Sequence, residues 1–289
     1  MYICILSLTG ILMGMLAAYL FKKFPESWLQ DYDYNPEAPD FRLSKRMNYI
    51  PHGLIAGISC ALVYSAYYII CRNQFEFKIG HLITILLVTP VFLLVLFADH
   101  LNRIIPDQFS IYIAICGLLS MIMDYVEGSY WISLEAPKHV VLLSHIIGAL
   151  IGGGLLLLIE FICETFMGKM GMGMGDIKLL FAIGFLTGAY GLVFTFYIAV
   201  FAGVIIAIPK VCRKYARIYK EHKEIKASSN PSKTKREIQL RKQKIHYADD
   251  PDYIAFGPFL AIGGAIYLAL EPLLYHNFVY FFAALNLLY

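Results

Sequence analysis

Charge is scarce in this chain. Only 16% of its 289 residues are Asp, Glu, Lys or Arg, whereas 59% are hydrophobic and the mean hydropathy is +0.63. So few polar groups cannot cover the surface of a soluble domain, and that class is excluded. Paired cysteines are missing too. Cys4, Cys60, Cys71, Cys116, Cys163 and Cys212 are scattered, mostly in or beside apolar runs, and none forms a C-x-x-C pair. This argues against a zinc site and a disulfide framework and makes small buried hydrophobes the better reading, so no metal is expected. No serine stands in a nucleophile motif, and no H-E-x-x-H motif occurs. The first apolar run, Ile3 to Phe21, has no basic segment before it and no small-x-small signal after it, which reads as a retained span rather than a removable signal peptide.

What the chain has in abundance is long apolar runs. A bilayer is crossed by about 17–25 such residues in a helix, so the expected fold class is an all-α polytopic membrane protein, a single domain over residues 1–289. The spans after the first run from about Leu54 to Cys71, from Ile79 to Ala98, from the turn at Pro106 to Met123, and from Val140 to Phe166. Residues 177–209 form either one long tilted helix or two short ones broken at Gly188-Ala189-Tyr190-Gly191. Charge decides between them. The segment 210–255 is a strongly basic loop, with thirteen Lys and Arg from Lys210 to Lys244 against Glu221, Glu224 and Glu237. The positive-inside rule puts it in the cytoplasm, on the side of Lys22, Lys23, Arg103 and Lys169, which requires two spans. The count becomes about eight, with the N-terminus outside and residues 22–50 a short cytoplasmic loop. The eighth span begins near Phe256 and ends at Glu271-Pro272, with the tail from Leu273 lying along the outer interface.

The chain's chemistry centres on Gly171-Met172-Gly173-Met174-Gly175-Asp176-Ile177-Lys178. A carboxylate at a bilayer boundary is costly unless solvated, paired or used. Alternate glycines allow φ > 0 and close approach of a second backbone. By parity of the spans, Asp99 and Asp176 lie on one face at similar depth, although parity does not fix lateral neighbours.

Three further motifs accompany Gly173-Met174-Gly175-Asp176. Asp99 stands before Pro106 and Asp107 in a D-x6-P-D pattern, Phe256-Gly257-Pro258-Phe259-Leu260-Ala261 lies near the C-terminus, and Gly14, Lys23 and Pro25 lie near the N-terminus. On these residues the chain resembles the type IV prepilin peptidases, GxGD intramembrane aspartyl proteases. The resemblance implies a catalytic pair of Asp99 and Asp176, with Gly173, Gly175, Lys178, Asp107 and Pro106 shaping the site. It implies type IV prepilin or pseudopilin substrates, cut at the cytoplasmic membrane face between a short basic leader and an apolar helix. The chain departs from the family in the first loop, which lacks the two C-x-x-C pairs associated with N-methylation of the product. Ala18 and Met170 replace residues usual there. The peptidase needs no cofactor, and S-adenosylmethionine enters only if methyltransferase activity is retained.

Two aspartates hydrolyse a peptide bond when one is ionised to activate water and the other is protonated to polarise the carbonyl. Proximity supplies that difference, because two close carboxylates titrate as a coupled pair. Among rival groups, Asp107 reads as a helix cap, Glu160 and Glu164 as a solvated boundary face, His145 as a histidine satisfied by a neighbouring helix, and Lys178 as a headgroup or loop contact. Asp31, Asp33, Glu37 and Asp40 are the acidic group suited to a basic leader, and the basic segment suits anionic lipid headgroups. Nucleic acid is not an expected partner. The competing reading is a transporter or channel carrying protons or cations through Asp99, Asp176 and His145. Against it, the aspartates lie at one face and no internal repeat is evident.

Overall fold

The computed structural model describes residues 1–30, 35–37, 41–132, 134–168, 173–228, 230–243 and 254–284. Among these the regular structure is helical: α1 (Tyr2–Lys23), α2 (Leu54–Gln74), α3 (Ile79–Asn102), α4 (Asp107–Glu127), α5 (Lys138–Met167), α6 (Met174–Ala227), α7 (Pro231–Gln243) and α8 (Gly257–Ala284). All but α7 are long and apolar enough to cross a membrane, which gives seven candidate spans among the described residues. The chain is a multi-pass membrane protein. Leu, Ile and Phe side chains cover the outside of the bundle, whereas α3, the most enclosed helix together with α8, has its apolar residues inside.

One of the seven is two passes in one. At Gly188 the backbone turns to φ 69° and ψ −179°, a conformation open essentially to glycine alone, and α6 doubles back. A Cβ placed on Gly152 of α5 would lie 2.6 Å from the carbonyl oxygen of Leu180 and 3.2 Å from Cδ1 of Leu192. Residues on either side of Gly188 therefore sit at the same level. Ser144 Oγ accepts the freed N–H of Ala189 at 3.2 Å, and Trp131 stacks on Tyr190 just past the turn. Counted as two arms, α6 brings the long apolar helical segments among the described residues to eight.

Three prolines sit inside the long helices, Pro90, Pro209 and Pro272, and for two of them a neighbouring helix meets the carbonyl that the missing N–H leaves without its donor four residues earlier. Neighbouring helices supply replacements. Pro90 frees the carbonyl of Leu86, and Tyr64 of α2 donates its hydroxyl there at 2.9 Å. Pro272 frees that of Leu268, which His81 Nε2 of α3 engages at 2.8 Å. This is why α8 continues past Glu271-Pro272 to Ala284, where the sequence suggested an end. Satisfying backbone groups between helices is what allows such prolines at membrane depth.

The polar segments are more structured than expected. The described residues between 22 and 50 are anchored to the bundle, because Leu29 and Met47 are fully buried and Arg46 pairs with Glu26 and donates to the carbonyls of Phe21 and Phe24. The basic segment expected as a loop is helical over most of its described part: α6 runs on to Ala227 and α7 follows. Cys60, Cys71 and Cys116 are buried as expected, but Cys4 and Cys212 are exposed.

Candidate active site

Asp99 lies in the last turn of α3 and Asp176 in the first turn of α6, and they are 4% and 8% exposed. The helix carrying Asp99 does not stop there as the sequence suggested, but continues to Asn102 and closes on Arg103. Arg103 adopts a left-handed φ of 62°, and its N–H donates to the carbonyl of Asp99 at 2.9 Å. That turn sends Ile104-Ile105-Pro106 across the bundle into α4, and Ile105 then packs against the start of α6 and the start of α8.

The third component is Gly257. The backbone amide of Gly257 interacts with both Asp99 and Asp176, and the two carboxylates are close enough for the charge of Asp99 to act on Asp176. A Cβ at Gly257 would lie 2.6 Å from Asp99 Oδ2 and equally close to Ile105 Cδ1. Only glycine lets this backbone reach the pair. Pro258, second in α8, has no N–H to lose and a φ suited to a helix start. The positive ends of two helix dipoles, α6 and α8, thus converge on the carboxylates. Asp176 Oδ1 is buried without a hydrogen-bond partner among the described residues. Such an oxygen is costly unless water or a ligand group meets it.

The glycines before Asp176 do less than expected. Gly173 has an ordinary extended backbone, φ −75° and ψ 139°, and its added Cβ would stand 3.7 Å from Asp176 Oδ2. Gly175 is helical and lies against Ile105, where a Cβ would meet Ile105 Cβ at 3.1 Å. Neither uses φ > 0. Pro106 precedes α4 as expected, at an N-cap with no side-chain hydrogen bond, and Asp107 opens the helix. Its carboxylate instead receives two hydrogen bonds from Lys178 Nζ, at 2.9 and 2.8 Å, which ties α4 to α6. Lys178 is therefore an ion-pair partner of Asp107.

His145 is satisfied as expected, with Nδ1 against the carbonyl of Phe185 and Nε2 3.1 Å from Asp124 Oδ2. Asp31, Asp33 and Asp40 of the acidic group lie outside the described residues, as do Lys169 to Met172. Glu37 is exposed. Among the described residues no cluster of three or more His, Cys, Asp or Glu is arranged to hold a metal ion.

Sequence reasoning missed the support beneath Asp99. Asn102, three residues on, accepts from the N–H of Lys45 at 2.7 Å and donates to the carbonyl of Lys45 at 3.1 Å, like a strand partner. This fastens the first polar segment under the end of α3. In that segment burial pushes the Glu26 carboxyl up, but hydrogen bonds from the Ser44 backbone and hydroxyl, from Gln30 and from Arg46 outweigh it and bring it down to about 2. No local sequence pattern marks Asn102, whose partner is 57 residues away.

In comparison with known protein families, residues 86–208 match the type IV leader peptidase family. The match includes Asp99, Pro106, Asp107, Asp176 and Lys178 and leaves out both chain ends. No curated protein and no solved structure matches the chain.

Proposed function

We propose, from the match of residues 86–208 to the type IV leader peptidase family, that the chain is an intramembrane aspartyl endopeptidase with Asp99 and Asp176 as its hydrolytic pair. The observation that carries this reading is the meeting of two buried carboxylates, 77 residues apart in sequence, at one backbone amide, that of Gly257. A structural ion pair would join opposite charges. Two like charges in an enclosed site suit a pair that shares one proton.

The chemistry follows from that sharing. The ionised carboxylate takes a proton from water as its oxygen attacks the scissile carbonyl carbon. The protonated carboxyl donates to the carbonyl oxygen, where negative charge gathers. Breakdown returns a proton to the departing nitrogen, and the pair is restored without any cofactor. The unpartnered Oδ1 of Asp176 supports a role for that residue facing water or carbonyl.

The substrates in this reading are type IV prepilins or pseudopilins, with the cut made at the cytoplasmic face of the cytoplasmic membrane. The substrate's apolar helix stays in the bilayer while its leader meets the site from the surface. The family match favours peptidase over transport, as does the placing of both aspartates at one end of the bundle.

The test is cleavage of a co-expressed prepilin, read by gel shift and N-terminal sequencing, at equal membrane levels of each variant. Asp99→Asn and Asp176→Asn are each expected to lower the rate about a thousandfold or more, and the double variant little further, since the two act as a unit. Asp107→Asn breaks only a half-exposed ion pair and should retain activity within a few-fold. Processing that survives loss of either Asp99 or Asp176 sinks the assignment.

A further inference from the structure

Cations from two helices meet around one cavity beside the end of α3. Arg103, Lys210, Arg213, Arg217 and Lys220, with Ala216, line a space of about 560 Å³. Four of the five come from the second arm of α6, at spacings of three, four and three residues, which puts them on one stripe of the helix. The fifth is brought in by the left-handed turn at Arg103, which carries the one positive φ outside glycine among the described residues. The stripe does not suit itself electrostatically, because the charge of Arg103 acts on both Lys210 and His100, and that of Lys210 also acts on His100. Glu221 and Glu224 offset six Lys and Arg between residues 210 and 224 only in part.

We propose that this cavity binds the phosphodiester headgroup of an anionic phospholipid. The chemistry called for is a compact anion with several acceptor oxygens, which three guanidinium groups can hold in forked hydrogen bonds while two ammonium groups neutralise it. The lipid is favoured over dissolved phosphate by position. The arm emerges directly from an apolar span, and Tyr215 and Tyr219, one helical turn apart on the other face of the same arm, are 69% and 74% exposed. Exposed tyrosines flanking basic residues at a span's end are the pattern of the headgroup region. A headgroup held here joins the end of the helix that carries Asp99 to the second arm of α6. The inference does not depend on the peptidase reading, since what it requires is a bound lipid.

The test uses the full chain in detergent after exchange into phosphatidylcholine vesicles containing phosphatidylglycerol, with lipid retention counted by native mass spectrometry. The wild type is expected to keep one phosphatidylglycerol in preference to phosphatidylcholine. Arg213→Gln/Arg217→Gln/Lys220→Gln should weaken that retention at least about tenfold, while Lys223→Gln/Lys226→Gln/Lys233→Gln, with the same charge removed elsewhere, should leave it intact. Arg213→Lys/Arg217→Lys preserves charge and guards against misfolding of the first variant; its retention should fall between the two. Equal loss in both triple variants would reduce the effect to diffuse charge and overturn the site. Wild-type retention no better for phosphatidylglycerol than for phosphatidylcholine would also overturn it. Displacement by millimolar inorganic phosphate would assign the cavity to a soluble anion instead.

Discussion

Gly257→Ala adds one methyl group at the point where α8 meets the aspartate pair. The new Cβ would stand 2.6 Å from Asp99 Oδ2. An ordinary contact of about 3.5 Å requires roughly 0.9 Å of movement. Ile105 can swing its terminal methyl away from the same Cβ, but Asp99 cannot withdraw without leaving the amide it shares with Asp176. A misplacement of about 1 Å at reacting groups costs on the order of a hundredfold in rate, or roughly 2.7 kcal/mol of barrier. The overpacking itself should lower stability by about 1–3 kcal/mol. The assay is the initial rate of cleavage of a full-length prepilin in detergent at saturating substrate, beside Gly175→Ala and Gly173→Ala. The order of loss should be Gly257→Ala far beyond Gly175→Ala, whose Cβ meets Ile105 Cβ at 3.1 Å and calls for a far smaller shift, with Gly173→Ala within about threefold of wild type, since its Cβ makes only ordinary contact. A folded Gly257→Ala enzyme with kcat near wild type would refute the steric argument, and so would a larger loss at Gly173.

Other perturbations probe the scaffold. Tyr64→Phe strands the Leu86 carbonyl freed by Pro90 and should cost about 1–3 kcal/mol of stability in detergent unfolding; adding Pro90→Ala restores an N–H and should recover much of it, and no recovery would show the bond to be incidental. Glu26 gives a pH dependence. Its folded carboxyl lies below the ordinary 4.5, at about 2, so its contribution is fully present above pH 4.5 and is lost as pH falls from there through about 2. After allowance for solvent screening it amounts to on the order of 1–2 kcal/mol, read as the difference in melting temperature between wild type and Glu26→Gln, which should narrow across that window and stay constant above it. Asn102→Ala removes both bonds to Lys45 and should loosen residues 41–48, seen as faster hydrogen exchange there with the bundle unchanged.

The membrane class, the break within residues 177–209 and the likeness to a leader peptidase were legible in the sequence because they rest on properties of single segments. Apolar runs of the right length can do little but span, and the Lys and Arg clustered after Lys210 call for an even number of crossings between Asp176 and that segment. Even the break at Gly188 followed from charge before its φ was known. Asp99 and Asp176 could be put at one end of the bundle by the same parity. What parity leaves open is who stands beside whom, and that is set by packing between helices far apart in the chain. The glycine that the aspartates need closest is Gly257 rather than Gly173 or Gly175, because α8 returns between α3 and α6. Asp107 and Lys178 find each other across 71 residues, and His81 and Tyr64 answer prolines on other helices. Gly257, Asp107 and Lys178 stood in motifs that named no partner for them, and His81 and Tyr64 were unremarkable residues in their own segments. The segment's composition determined that it enters the membrane, whereas the unmet carbonyl or carboxylate on its neighbour determined what it does there, and that demand exists only once the helices are side by side.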